Sequence, residues 1–122
     1  MSKGGVLRCA ALAAACLGAS ACARPSVSAV GDPHTGAVLI GQAQCGACHA
    51  IPGIAAADGL SGPPLRGFAR RTTIAGVLAN TPSNLVAWLR EPQKIVPGNA
   101  MPDTHLSDAQ AGDVAAYLDS LR

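Results

Sequence analysis

Cys45-Gly46-Ala47-Cys48-His49 decides how this chain is read. Two thiols at i and i+3, followed at once by an imidazole, form the C-x-x-C-H pattern of c-type haem attachment. On one helical turn both sulfurs project to the same side, where each can form a thioether with a haem vinyl group. His49 then offers a ring nitrogen to the iron, so five residues supply covalent attachment and one axial ligand. C-x-x-C by itself is shared with thioredoxin-like redox pairs and with half of a zinc site. A redox pair belongs in a βαβ pattern, which this sequence lacks, and zinc needs a second ligand pair. Cys9, Cys16 and Cys22 do not provide that pair, because they fall in a targeting segment. A structural disulfide or a zinc site is the alternative to haem.

Outward from the motif, the amino-terminal side has the pattern of a bacterial export signal over residues 1–21. Lys3 and Arg8 form its basic end, Cys9 to Ala19 an Ala/Leu-rich core, and Ala19-Ser20-Ala21 a small-residue cleavage site. The apolar run is short of the roughly 20 residues that a transmembrane helix needs. Two processing routes compete. Cleavage near Ala21 or Ala23 frees the chain, whereas Leu17-Gly-Ala-Ser-Ala-Cys22 resembles a lipoprotein signal that would make Cys22 a lipid-anchored first residue. Residues 22–34, polar and punctuated by Pro and Gly, are expected to form a leader or tether, and residues 35–122 the folded domain. Export agrees with the motif, since c-type haem is attached outside the bacterial cytoplasm.

A mature chain of roughly 100 residues has room for one domain and buries limited surface. Its aromatics are Phe68, Trp88 and Tyr117 only. A buried haem would supply the apolar mass that the side chains do not. Hydrophobic periodicity predicts helices and no sheet. Thr35 is the expected N-cap of a helix from Gly36 into the motif, with Val38, Leu39, Ile40 and Ala43 on its apolar side. Residues 51–67 should be loop, and a short helical turn is expected over Ile74–Leu78. Thr81-Pro82 should open a helix that carries Leu85, Trp88 and Leu89 on one face and stops at Pro92. Ser107 with Gln110 forms a capping box for the last helix, whose Ala111, Val114, Ala115, Leu118 and Leu121 recur at helical spacing. The expected class is all-α with generous loops. There is no phosphate-binding glycine loop and no basic nucleic-acid patch.

A six-coordinate haem needs a second axial ligand. Met101, in Pro97-Gly98-Asn99-Ala100-Met101-Pro102, is the only methionine beyond Met1. A lone Met more often fills a core gap, but a turn-rich loop behind a haem motif favours ligation. His34 and His105 are rivals, and His105, four residues from Met101, is the stronger of the two.

From about Thr35 onward the chain resembles the class I monohaem cytochromes c. Gly62-Pro63-Pro64-Leu65-Arg66-Gly67 is similar to that family's Gly-Pro-x-Leu-x-Gly loop, Asn84 to Pro92 and Pro97-Gly98…Met101 to its helix and methionine loop, and Ala116-Tyr117-Leu118 to its last helix. The resemblance implies a small helical domain wrapped around one covalently bound haem c. It also implies that the Pro63 carbonyl orients His49, that Leu65 and Trp88 pack on the haem, and that Met101 is the distal ligand. The family usually has an aromatic four residues before the first cysteine and a glycine four before that. Gly41 and Ala37 occupy those positions, with Ile40 and Gly36 one step earlier.

A His/Met pair closes both axial positions and raises the haem potential, which suits one-electron transfer. No serine nucleophile motif or convincing carboxylate pair points to an enzyme. The expected protein is a single-haem electron carrier, or an electron-transfer subunit, in a bacterial periplasmic or membrane-linked redox chain. Its partners would be a dehydrogenase, a bc-type complex or a terminal oxidase. A haem enzyme or gas sensor with an open iron is the competing class. All seven acids lie beyond Cys22, whereas two of the nine basic residues lie before it, so the mature chain is charge-balanced. Its charges are nevertheless segregated: basic from Arg66 through Arg70, Arg71 and Arg90 to Lys94, acidic from Asp103 to Asp119. That dipole is expected to steer a partner onto the basic segment. Arg70 or Arg71 could meet a haem propionate.

Overall fold

The computed structural model describes residues 31–122. The expected export signal and cleavage site, Cys22 and most of the expected leader lie outside the described residues. Helix α1 spans Pro33–Gln42, α2 Pro82–Arg90, α3 Pro92–Ile95 and α4 Asp108–Ser120. Two 3₁₀ turns, Cys45–Ala47 and Phe68–Arg70, and a two-stranded hairpin of β1 (Thr73–Ile74) and β2 (Leu78–Ala79) complete the fold. The class is all-α, as expected, with the hairpin as a small exception. No helix among the described residues is long and apolar enough to cross a membrane.

Helix α1 starts three residues before the expected Gly36 and takes Pro33 and His34 from the segment expected to be leader. Its cap is Asp32, not Thr35. The Asp32 carboxylate accepts from the His34 and Thr35 amides at 3.1 and 3.2 Å, and the Thr35 hydroxyl donates to it at 2.7 Å. Pro33, at the first helical position, has no amide hydrogen to satisfy. The hydrogen bonds from Thr35 and His34 hold the Asp32 carboxyl below its ordinary value.

The expected helical turn over Ile74–Leu78 is a hairpin, with Thr73 opposite Ala79 and Ile74 opposite Leu78. Its tip turns on Ala75 and Gly76, both at positive φ (51° and 74°). Tight hairpins need that backbone, and it is incompatible with a right-handed helix. The other predicted elements form as expected. Thr81 caps α2, and Ser107 and Gln110 make both bonds of the capping box of α4, at 3.0 and 3.2 Å.

Helices α1 and α4 cross at close range. A Cβ on Gly36 would lie 2.0 Å from the Asp113 carbonyl oxygen, so only glycine permits this approach. At the crossing stand Gly36 and, one turn on, Ile40, not Ala37 and Gly41. Gly36 meets α4, and Ile40 is buried beneath it. Tyr117 of α4 donates its hydroxyl to the Pro52 carbonyl at 2.6 Å and ties the loop after the motif to the crossing.

Candidate functional site

After α1 the chain reverses through Gln44 in the left-handed region and enters the 3₁₀ turn of Cys45–Ala47. The amides of Cys48 and His49 both donate to the Cys45 carbonyl, at 3.2 and 3.0 Å. The motif is therefore one helical turn, the geometry that the spacing predicts. Cys45 is half-buried and Cys48 exposed; burial pushes the Cys45 thiol up.

The next segment folds back over the motif. Gly59 donates to the Gly46 carbonyl at 3.0 Å and Gly62 to that of Cys48 at 2.8 Å. A Cβ on Gly62 would stand 2.6 Å from Cε1 and 2.7 Å from Nδ1 of His49, so glycine is what lets this backbone lie against the ring. The Pro63 carbonyl is 2.8 Å from His49 Nδ1. The carbonyl can only accept, so Nδ1 carries the proton. Nε2 is then the ring nitrogen available to a metal.

Cys45, Cys48 and His49 line a cavity of about 530 Å³, within the range of roughly 300–1,000 Å³ typical of cofactor sites. Met101, Pro63, Leu65 and Trp88 line it too, so the cavity gathers every residue that the sequence assigned to the site. Its walls are Ile40, Ile51, Phe68, Ile74, Leu85, Leu89, Val114 and Leu118, all buried. The rival ligands lie elsewhere: His34 is exposed on α1, and His105 is exposed at φ 57° and takes no part in the lining. Of the arginine pair, Arg71 lines the cavity and Arg70 does not. The Arg71 guanidinium donates to the Pro64 carbonyl and lies 5.4 Å from the centre of the Phe68 ring.

Two side chains that matter here carried no signal in the sequence reading. Gln93 and Asn99 make their hydrogen bonds within the Met101 loop, and only the proximity of Asn99 to Met101 hints at a role.

The donor set tests what the cavity can hold. Two thiols, a neutral imidazole and a thioether converge on an apolar space with a single guanidinium at its wall. That set suits a flat, apolar, iron-bearing group attached through its vinyls, with a carboxylate near Arg71; it lacks the second ligand pair that a structural zinc needs. Fold and site together define a protein built around a covalently attached haem.

The chain belongs to the cytochrome c family, whose model, described as "Cytochrome c", matches residues 34–122. It is 40% identical over 79 residues to cytochrome c oxidase subunit 2 of Alkalihalophilus pseudofirmus, a match that covers 64% of this chain and 22% of that one. With the subunit 2 of Bacillus subtilis it shares 36% identity over 91 residues, covering 71% of this chain and 26% of that one. The chain thus spans about a quarter of the length of the curated relatives it matches. Among solved structures it is similar to cytochrome c2 from Rhodobacter sphaeroides, with a TM-score of 0.52 and 25% identity over 75% of this chain and 96% of that one. As a cytochrome c domain, the described region carries one covalently bound haem c and is of the electron-transfer type.

Haem c, when bound, supplies the one-electron iron couple. What the chain contributes is position and environment. Its walls are largely apolar, the Pro63 carbonyl holds Nδ1 of His49, and Gly62 lets the backbone lie against the ring.

Proposed function

We propose that the protein is a single-haem electron carrier of a bacterial extracytoplasmic redox chain that passes electrons to a terminal oxidase. Cys45 and Cys48 form the thioethers, and His49 and Met101 are the axial ligands. The observation that carries this reading is the convergence of both thiols, the oriented imidazole and the one internal thioether on a single apolar cavity. With both axial positions filled, the iron takes no external ligand and can do little but exchange electrons. Pro63, Leu65 and Trp88 complete the haem contacts. The terminal oxidase is favoured over a dehydrogenase or bc-type complex because the relatives above are oxidase subunits. Export rests on the basic and Ala-rich amino terminus.

The reduced wild-type protein is expected to leave carbon monoxide unbound at neutral pH. Ready binding would mean an open iron and would replace the carrier with a haem enzyme or sensor. Fractionation of cells expressing wild type and Cys22→Ser decides whether a lipid tether holds the domain at the membrane.

A further inference from the structure

The Met101 loop is held by two side-chain amides whose every donor and acceptor is used. Gln93 Nε2 donates to the Asn99 carbonyl at 2.8 Å and to the Met101 carbonyl at 2.7 Å. Gln93 Oε1 accepts from the Gly98 amide at 3.1 Å. Asn99 Nδ2 donates to the carbonyls of Pro92 and Val96 at 3.0 and 2.7 Å, and Asn99 Oδ1 accepts from the Met101 amide at 2.7 Å. An amide side chain has two N–H donors and one carbonyl acceptor, and both side chains spend theirs on main-chain groups of residues 92–101. Exchanging O and N in either amide would set N–H against N–H, so the network fixes its own orientation.

The consequence falls on one residue. The Met101 amide is fixed by Asn99 and its carbonyl by Gln93, so both peptide groups flanking its side chain are pinned. Gln93 and Asn99 are both half-buried beside the cavity, and Asn99 is itself part of the lining. Beyond Met101, the Asp103 carboxylate accepts from the main-chain N–H of Gln93 at 3.2 Å and closes the loop onto the same residue. A ligand on a loop is placed only as well as its supporting shell allows. A free loop of this length would give the thioether many positions, most of them out of reach of a metal.

We propose that Gln93 and Asn99 are positioning residues that clamp Met101, and that this clamp keeps the sixth position of the iron closed to outside ligands. The inference rests on Met101 being an axial ligand, and it makes closure of the iron a property of two amides that are not themselves ligands. When the clamp is weakened the thioether leaves more often, the iron opens, and small ligands enter at a rate set by the open population.

The experiment uses the haem-loaded full chain and reads three things: the thioether-to-iron charge-transfer band of the oxidised protein, carbon monoxide binding by the reduced protein, and the helical circular dichroism. Gln93→Met keeps the side-chain volume and removes three bonds; Asn99→Asp keeps the acceptor for the Met101 amide and removes two donors. Gln93→Met should weaken the band and speed carbon monoxide binding by about tenfold or more, the factor carried by the net worth of one or two hydrogen bonds. Asn99→Asp retains the contact with the Met101 amide but sets a carboxylate oxygen against the Pro92 and Val96 carbonyls, so it too should weaken the band and speed carbon monoxide binding. Helical content at 25 °C should stay that of the wild type in both, which separates placement of the ligand from folding. If Gln93→Met folds poorly, Gln93→Glu, which keeps the Gly98 acceptor, provides the same reading. Met101→Ala, measured alongside, should abolish the band. If it does so while the Gln93 and Asn99 variants keep wild-type band and carbon monoxide exclusion, the clamp is wrong and the ligand assignment stands. If Met101→Ala leaves the band intact, the ligand assignment itself fails, and the clamp with it.

Discussion

The segment around His49 and the segment around Met101 reach the same cavity, but main-chain hydrogen bonds predominate in the first and side-chain hydrogen bonds in the second. On the motif flank, Gly59, Gly62 and Leu65 donate to the carbonyls of Gly46, Cys48 and Ala50, and side chains add the bonds of His49 to Pro63, Tyr117 to Pro52 and Arg71 to Pro64. On the methionine flank, Gln93, Asn99, Asp103 and Thr104 do the holding. A main-chain scaffold tolerates little change in backbone shape but is indifferent to most side chains. A side-chain scaffold can be loosened one bond at a time. The first flank should therefore fail abruptly and the second by degrees.

The largest expected effect is on the motif flank. In the double variant Cys45→Ala and Cys48→Ala, covalent haem should vanish from denaturing gels and the chain should be largely unfolded at 37 °C. The walls of the cavity are eight buried apolar side chains. Without haem their inner faces have no partner atoms, and the dispersion contacts that a filled core supplies are lost. A folded variant with native helical content would show that the side chains alone make a core.

Gly62→Ala tests the abrupt failure without touching a ligand. The new methyl would overlap the His49 ring, so either the backbone shifts or the imidazole tilts off the Pro63 carbonyl. Overpacking of this kind costs about 1–3 kcal/mol. Haem should stay covalently attached while stability to denaturant falls by that amount and the haem potential moves. An unchanged potential and midpoint would mean that the 59–65 segment yields freely and is no rigid scaffold.

The same contrast explains what the sequence disclosed. Cys45, Cys48 and His49 are contiguous, and their chemistry follows from spacing alone. Met101 stood out because no other internal methionine competes with it. Three helices were legible from caps and periodicity, since Thr81, Ser107 and Gln110 act on neighbours within one turn. The hairpin at 73–79 was hidden because its determinant is positive φ at Ala75, a residue that gives no such signal. The cap of α1 was misplaced by three residues because Thr35 and Asp32 are both good cap residues; the carboxylate takes the amides and the hydroxyl then donates to it. The Gln93–Asn99 network was illegible because its bonds run between side chains and carbonyls at no fixed spacing.

Thr104→Val probes the graded flank. The Thr104 hydroxyl donates to the Leu89 carbonyl at 2.6 Å, and its amide to that of Arg90 at 3.3 Å, which pins the chain beyond Met101 to the end of α2. Valine keeps the shape and removes the hydroxyl bond, so stability should fall by about 1 kcal/mol in denaturant titrations. Covalent haem and the His49 side should be unaffected. A loss as large as that expected for Gly62→Ala would erase the distinction between the flanks.

The smallest effect concerns charge, and it too divides by flank. Of the five basic residues expected to steer a partner, Arg90 lies 2.6 Å from Asp108 and Lys94 3.5 Å from Glu91, both near the methionine loop. Arg66, Arg70 and Arg71, beyond the motif flank, have no carboxylate within ion-pair distance among the described residues. A paired cation projects little net field, whereas an unpaired one acts over a screening length of about 8 Å at physiological ionic strength. The expected steering therefore narrows from the whole basic segment to its first three arginines. With a terminal oxidase as acceptor, the second-order electron-transfer rate should fall modestly as salt rises. Arg66→Gln or Arg70→Gln should flatten that dependence, and Lys94→Gln should leave it unchanged. Arg71 is the less useful probe, because its guanidinium is already engaged by Pro64 and Phe68. If Lys94→Gln flattens the salt dependence as much as Arg66→Gln does, the exposed Lys94–Glu91 pair opens when the partner docks, and the steering extends over the whole basic segment.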